Sequence, residues 1–279
     1  MTSDPQSETL LNQKSEPTFT LWQGQIPLLI SVPHSGSEIP SHISAQMTVA
    51  AEGSIDTDWF MEDLYLPIAK DLGASLISPR HSRYVIDLNR PESDESLYPG
   101  QTTTGLCPLH RFDGQPLYSQ GNEPTLAEKH KRIETYWRPY HQALSAELLR
   151  LKTMNGSVLL WEGHSIKSVV PRLFDGQLPH LNIGTHQGQS CHPNIEAQIT
   201  QYLSQNTKYS SVVNGRFKGG YITRYYGKPK QNIHAVQLEL AQCTYLQDEQ
   251  HPQWSAPYAQ NLSQMIGDLL NIALSHLPK

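Results

Sequence analysis

"IPLLISVPHSG", Ile26 to Gly36, is the stretch on which the fold turns. Its first half is a nearly unbroken apolar run, too short for a helix and without polar alternation. That is the pattern of a strand covered on both faces, as in parallel sheets flanked by helices. Its second half breaks at Pro33 and sets His34 before a Ser-Gly turn, at the mouth of the strand. Working outward, "ASLISP" (Ala74 to Pro79), "RYVIDL" (Arg83 to Leu88), "GSVLLWEG" (Gly156 to Gly163), "GGYITRYYG" (Gly219 to Gly227) and "HAVQLELA" (His234 to Ala241) read as further strands. Between them, Asp58 to Leu72 has helical spacing with a kink or break expected at Pro67. Thr125 to about Lys152 reads as a long helix, opened by a capping box in which Thr125 and Glu128 satisfy free amides. Pro193 to about Leu203 and Ala256 to Leu277 complete the helices. Strands alternating with helices predict an α/β fold: a single domain over 21–279 with a mixed, mostly parallel sheet and helices on both faces, behind a flexible tail of residues 1–20. Pro91 to Pro124 is rich in Pro, Gly, Ser and Thr and reads as a long functional loop.

Composition narrows the function classes. A net charge of -5 without a basic cluster argues against a nucleic-acid partner. No run approaches the roughly 18 apolar residues of a membrane span. The polar start reads as a tail rather than a secretion signal, and the isolated Cys107, Cys191 and Cys243 predict no disulfide framework, so the expected location is the cytoplasm. Neither G-x-S-x-G nor a phosphate-binding glycine loop occurs, which leaves serine-hydrolase and nucleotide readings without support.

Ligands of open α/β sheets collect at the carboxyl ends of strands. His34, Asn89-Arg90, "EGHS" (Glu162 to Ser165) and Glu239 stand at such places. His34 and His164 each follow an apolar strand and each precede a serine, and a catalytic zinc takes three His or carboxylate ligands and leaves a position for water. Asp58 is the favoured carboxylate, Asp56 stays open, and Glu38 and Glu162 are further candidates; the ordinary alternative makes His34 a turn cap and Asp58 a helix cap. In "AVQLELAQ", Gln237, Glu239 and Ala241 share one face while Val236, Leu238 and Leu240 pack behind. A buried carboxylate there needs a partner such as metal-bound water, unless the strand is an edge with a solvated face. Arg83, Arg90, Arg172 and Arg224 are candidate carboxylate clamps, and Gly219-Gly220 is a turn near a ligand or a hairpin. Gly36 is expected to keep the approach of His34 to the ion uncrowded.

The series "PHSG", "DTDWF", "SRYVIDLNRP", "FDGQPLY", "YHQAL", "GHSIKS", "PRLFDGQLPHLNIGT" and "GGYITRYYGKP…HAVQLELAQ" resembles the N-formylglutamate amidohydrolases, in that family's order, from about Ile26 to Tyr245. The resemblance implies a zinc-exopeptidase-like (phosphorylase/hydrolase-like) fold, one zinc ion, a small N-acyl amino acid as partner, and hydrolysis of N-formyl-L-glutamate to formate and L-glutamate late in histidine degradation. It places His34 and His164 on the metal, Asn89 and Arg90 at the substrate carboxylate, and Glu239 as base. Arg83 joins Arg90 for the second carboxylate, with Arg172 and Arg224 next. Two departures matter. Zinc carboxypeptidases take a carboxylate ligand three residues after the first histidine, where this chain has Ser37, so Asp58 is inferred and Asp56 remains open. Glu162 also stands where relatives often carry Asp. The competing functions are hydrolysis of another N-acyl amino acid, or a catalytically silent carboxylate-binding protein.

Overall fold

The computed structural model describes residues 17–97, 100 and 103–278. Most of the expected tail, residues 1–16, lies outside the described residues, and its last two positions, Phe19 and Thr20, belong to strand β1 (Phe19–Trp22). The main sheet continues with β2 (Leu28–Ser31), β3 (Ser75–Pro79), β4 (Val158–Ile166), β5 (Leu181–Gly184), β6 (Ser211–Val213) and β7 (Ile233–Ala241), in the order β1-β3-β2-β4-β7-β5-β6. The β3-β2-β4-β7 centre and the β5-β6 pair are parallel; β1 and β5 run antiparallel to β3 and β7. A small hairpin, β8 (Leu246–Asp248) and β9 (Gln253–Trp254), stands apart. The helices are α1 (Ser41–Ser44), α2 (Met61–Leu72), α3 (Leu126–Arg132), α4 (Arg138–Asn155), α5 (Pro193–Gln205), α6 (Tyr221–Tyr226) and α7 (Ala256–Ser275). The mixed α/β class and the covered sheet are as the sequence predicts. No helix among the described residues is long and apolar enough to cross a membrane.

The two faces of the sheet are sorted by strand parity. Leu28, Ile30, Leu159, Trp161, Val236 and Leu238 pack against α2, α5 and α7. Leu29, Val158, Leu160 and Ala235 pack against α4 and α6. Pro67 lies within α2 without splitting it: Pro67 and Asp63 are both exposed, so the carbonyl that loses its intrahelical bond faces water. Gly73, in the left-handed region at φ 76°, ends that helix. Thr125 caps α3 by accepting from the amide of Glu128, but the Glu128 carboxylate takes Arg132 Nε at 2.9 Å instead of closing a capping box. A π turn, Ile133–Trp137, joins α3 to α4.

Two expected strands are absent. Arg83 to Leu88 forms no ladder: side chains take two of its carbonyls and a third just beyond it. Val85 O accepts from Arg132 Nη1 (3.1 Å), Leu88 O from His141 Nε2 (2.9 Å), and Arg90 O from Trp137 Nε1 (2.9 Å). "YITRYY" is helix α6, whose first free amides are fixed by buried acceptors: Ile222 N by Asn89 Oδ1 and Thr223 N by Glu162 Oε2. β5 and β6 were not expected, being three or four residues long with little periodicity. The described part of Pro91 to Pro124 carries no helix or strand, as its composition predicts.

His141 ties these pieces together. It lies between Trp137 (ring centroids 3.8 Å apart) and Tyr226, and Tyr226 OH donates to its Nδ1 at 3.0 Å. Burial pushes its pKa down to about 4, so the folded protein holds it neutral. The unfolded chain, with an ordinary histidine near 6.5, therefore binds one more proton between these values, and stability is full above pH 6.5 and lost as pH falls towards 4. Denaturant titrations of His141→Gln are expected to show a loss between pH 7 and pH 5 about 2 kcal/mol smaller than in the unsubstituted protein.

Candidate active site

The face that buries Val158, Leu160 and Ala235 turns polar at the carboxyl ends of β4 and β7. Glu162 and His164 continue the parity of Val158 and Leu160, and Gln237 and Glu239 continue that of Ala235. Parallel register sets Glu162 beside Gln237 and His164 beside Glu239. His164 therefore sits inside β4, not beyond its end as expected. β7 is central rather than an edge, and Val236, Leu238 and Leu240 pack behind it as expected. His34 follows β2, which pairs with β4 on one side and β3 on the other, so the two imidazoles flank the point where strand order reverses. Their ring centroids lie 4.8 Å apart.

Asp58 enters from the turn before α2. Its amide donates to His34 O at 3.0 Å, and its Oδ2 accepts from Ser165 N at 3.1 Å. The same oxygen lies 3.0 Å from His164 Nδ1 and 3.7 Å from His34 Nδ1. His34, Asp58 and His164 thus offer one ligand atom each within 4.8 Å of one another, a group that could hold a metal ion. The opposite edges of both rings are fixed by carboxylates. His34 Nε2 donates to Asp87 Oδ1 at 2.7 Å, and His164 Nε2 lies 2.7 Å from Glu162 Oε1. Carboxylates behind histidines in this way orient metal ligands and raise their basicity. Two buried atoms inside the group, His34 Nδ1 and Asp58 Oδ1, have no hydrogen-bond partner, as expected of atoms whose natural partner is a cation.

Charge supports the same reading. Asp58, Asp87, Glu162 and Glu239 are buried, and three arginines, Arg83, Arg90 and Arg216, line the adjoining cleft. Uncompensated carboxylates are costly in such a place, and a divalent ion offsets the excess. Burial would raise Asp58, but the imidazoles of His164 and His34 outweigh it and hold the carboxyl well below its usual range. Burial would likewise lower His164, yet Glu162 and Asp58 drive it well above an ordinary histidine, so the site draws positive charge. For Asp87, the charges of His34, Arg83 and Arg90 overcome burial and keep it ionised. Glu239 goes the other way: burial pushes it up to about 8, with Asp58 and Glu162 adding and His164 and Arg83 opposing. A carboxyl tuned towards neutrality beside a cation site is suited to moving protons.

The remaining carboxylate candidates are used elsewhere. Asp56 Oδ2 accepts from Phe112 N at 2.8 Å and latches that loop. Glu38 pairs with Arg80 near the surface, and Glu162, with its other oxygen on Thr223, stands behind His164. Gly36 serves packing, not access: a Cβ there would meet His81 O at 2.5 Å. Gly219-Gly220 is no hairpin, since it leads into α6; Gly220 lines the cleft and lets the Asn89 side chain lie against the backbone, where a Cβ would come within 2.2 Å of Asn89 Nδ2.

The cleft above the group is lined by Arg83, Asn89 and Arg90, together with Phe112, Leu173, Arg216 and Phe217. Arg83 is bound to Asp87 (2.7 Å) and reaches towards Asp58 (3.7 Å). Arg90 rests on Thr104 O, Thr104 Oγ1 and Asn89 O. Asn89 lines the cleft with its side chain fixed between α6 and the imidazole: Oδ1 accepts from Ile222 N, and Nδ2, which carries two N–H groups, lies 3.0 Å from His164 Nε2. Arg172 and Arg224 are not among the residues lining this cleft: exposed Arg172 donates to Arg111 O, and Arg224 to Gly219 O and Leu97 O. Sequence reasoning missed Arg216, for which no motif stands out, and the role of Asp87, whose signal was a lone carboxylate in the apolar "YVIDL".

The chain matches known proteins along most of its length. It is 47% identical over 254 residues to the N-formylglutamate deformylase of Pseudomonas aeruginosa, covering 91% of this chain and 94% of that one. It is 46% identical over 253 residues to the N-formylglutamate deformylase of Pseudomonas putida, with coverages of 91% and 94%. In fold it resembles the crystal structure of N-formylglutamate amidohydrolase from Ralstonia eutropha, with TM-score 0.78, 23% identity, and 93% and 98% of the two chains covered. With residues 26–246 matching the sequence model of that family as well, the chain belongs to the N-formylglutamate amidohydrolases.

Proposed function

We propose that this protein hydrolyses N-formyl-L-glutamate to formate and L-glutamate, a late step of histidine degradation, with one zinc ion held by His34, Asp58 and His164. The observation that carries the reading is the convergence of two carboxylate-backed imidazoles on Asp58, with Glu239 beside them in the paired strand. Zinc bound there would supply a Lewis acid and bring the pKa of water towards about 7. Glu239 takes a proton from the attacking water and delivers it to the amine nitrogen of the departing glutamate. Its raised pKa suits the return step, and a cation held beside it would lower it for the first. Arg83, buried in the cleft wall, supplies positive potential where the formyl oxygen gathers charge. Arg90 spends three of its five N–H groups on protein oxygens among the described residues, which fixes the guanidinium and leaves donors for the substrate α-carboxylate. The free thiols Cys107, Cys191 and Cys243 support a reducing cytoplasm as its place.

The test is formate release from N-formylglutamate before and after chelation. Release is expected to be lost with the metal and restored by about one equivalent of zinc per chain. A full rate in the chelated protein refutes the metal assignment. An inert N-formylglutamate beside a readily cleaved N-acetyl or N-succinyl amino acid refutes the substrate.

A further inference from the structure

We propose that Arg216 reads the side-chain carboxylate of the substrate and so sets a preference for acidic N-formyl amino acids. The inference rests on the function proposed above and concerns the end of the cleft remote from the reacting amide.

Three observations lead to it. The first is topological. Arg83 and Arg90 enter the cleft from the segment after β3, on one side of the β2-β4 centre, whereas Arg216 follows β6 at the opposite edge of the sheet, two strands beyond β7. The second is the chemistry of the wall. Ile166, Val170 and Leu178 form a buried apolar cluster with Phe112, Leu173, Phe174 and Phe217 packed on it, and four of these, Ile166, Phe112, Leu173 and Phe217, also line the cleft. Two guanidiniums touch that wall: Arg83 lies 4.7 Å from the Phe112 ring but is paired with Asp87, whereas half-buried Arg216 donates from Nε to Leu173 O at 3.0 Å and lies 5.4 Å from the Phe217 ring. An apolar strip ending in a guanidinium matches two methylenes ending in a carboxylate. The third is division of labour. Arg83 is committed to Asp87, and Arg90 adjoins Asn89 and therefore His164. In an N-formyl amino acid the α-carboxylate shares a carbon with the reacting nitrogen, while the side-chain carboxylate of glutamate lies two methylenes further out. Arg90, next to Asn89 on the side of the imidazoles, takes the first, and Arg216, entering from the opposite edge of the sheet, takes the second.

The experiment compares N-formylglutamate with N-formylglutamine on the zinc-loaded protein, with calorimetric binding of L-glutamate and L-glutamine as an independent readout. Arg216→Met is expected to lower kcat/KM for N-formylglutamate about 100-fold, chiefly through KM, and to affect N-formylglutamine far less, so the ratio collapses. Arg216→Lys, which keeps charge without the planar fork, falls between, and carries the test should Arg216→Met not fold. Arg172→Met, outside the cleft, keeps the ratio of the unsubstituted protein. A preserved glutamate-to-glutamine ratio in Arg216→Met and Arg216→Lys overturns the proposal. If the unsubstituted protein does not turn over N-formylglutamate, the functional reading fails, and binding still decides the role of Arg216: loss of glutamate preference on substitution supports it, and retention or absence of any preference overturns it.

Discussion

Glu239→Gln is expected to lower kcat on N-formylglutamate by about a thousandfold while zinc content stays at one ion per chain. The amide keeps the shape of the side chain beside Gln237 and His164 but accepts no proton from water, and Glu239 is not one of the three converging ligands. The two measurements together separate a base from a ligand: a lost ligand takes the metal with it, whereas a lost base leaves it in place. Stability is expected to move the opposite way to activity. Burial and the carboxylates of Asp58 and Glu162 disfavour the ionised form of Glu239, so the neutral amide relieves repulsion and Tm is unchanged or higher. A substitution that loses turnover, keeps zinc and does not unfold earlier points to a group held against its own preference for the sake of the reaction. A rate within a few-fold of normal would remove Glu239 from the mechanism.

What was legible in the sequence follows the physics of the sheet. A strand buried on both faces is a run of apolar residues, so β2, β4 and β7 stood out, and polar residues at their ends were conspicuous by contrast. His34, His164 and Glu239 were found this way. Segments shaped by long-range side-chain bonds were not legible. Arg83 to Leu88 has the composition of a strand, yet Arg132 and His141, 47 and 53 residues further on, take the carbonyls of Val85 and Leu88 and hold it as a loop. The aromatic and β-branched "YITRYY" is helical because Asn89 and Glu162 anchor its first turn from other parts of the chain. The arginines failed for a related reason. A guanidinium on a loop can reach in many directions, and nothing local separates Arg216, which lines the cleft, from Arg172, which does not.

Asp56 and Asp58 pose the same problem at close range, and their substitution gives the second large effect: Asp58→Asn is expected to lose zinc and at least about a hundredfold in kcat/KM, and Asp56→Asn to keep its zinc. Two residues apart before α2, both are buried acids beside Arg83, and spacing alone does not choose between them. Their oxygens do. Asp58 Oδ2 meets both imidazole Nδ1 atoms, and Oδ1 lacks a hydrogen bond. Asp56 is turned the other way, with Oδ2 on Phe112 N and its amide on Tyr84 OH. Burial raises Asp56, so its neutral replacement removes a charge the site holds reluctantly, and the expected consequence is a looser Phe112 and a higher KM. Asp58→Asn instead leaves His34 and His164 facing a neutral amide, with Asp87 and Glu162 still bonded behind them, so the negative charge that attracts the cation no longer lies where the two rings meet. Metal analysis of both variants decides the matter. Zinc retained in Asp58→Asn and lost from Asp56→Asn would mean that the two imidazoles turn to a different carboxylate when loaded, and that the Asp58 contacts belong only to the metal-free protein.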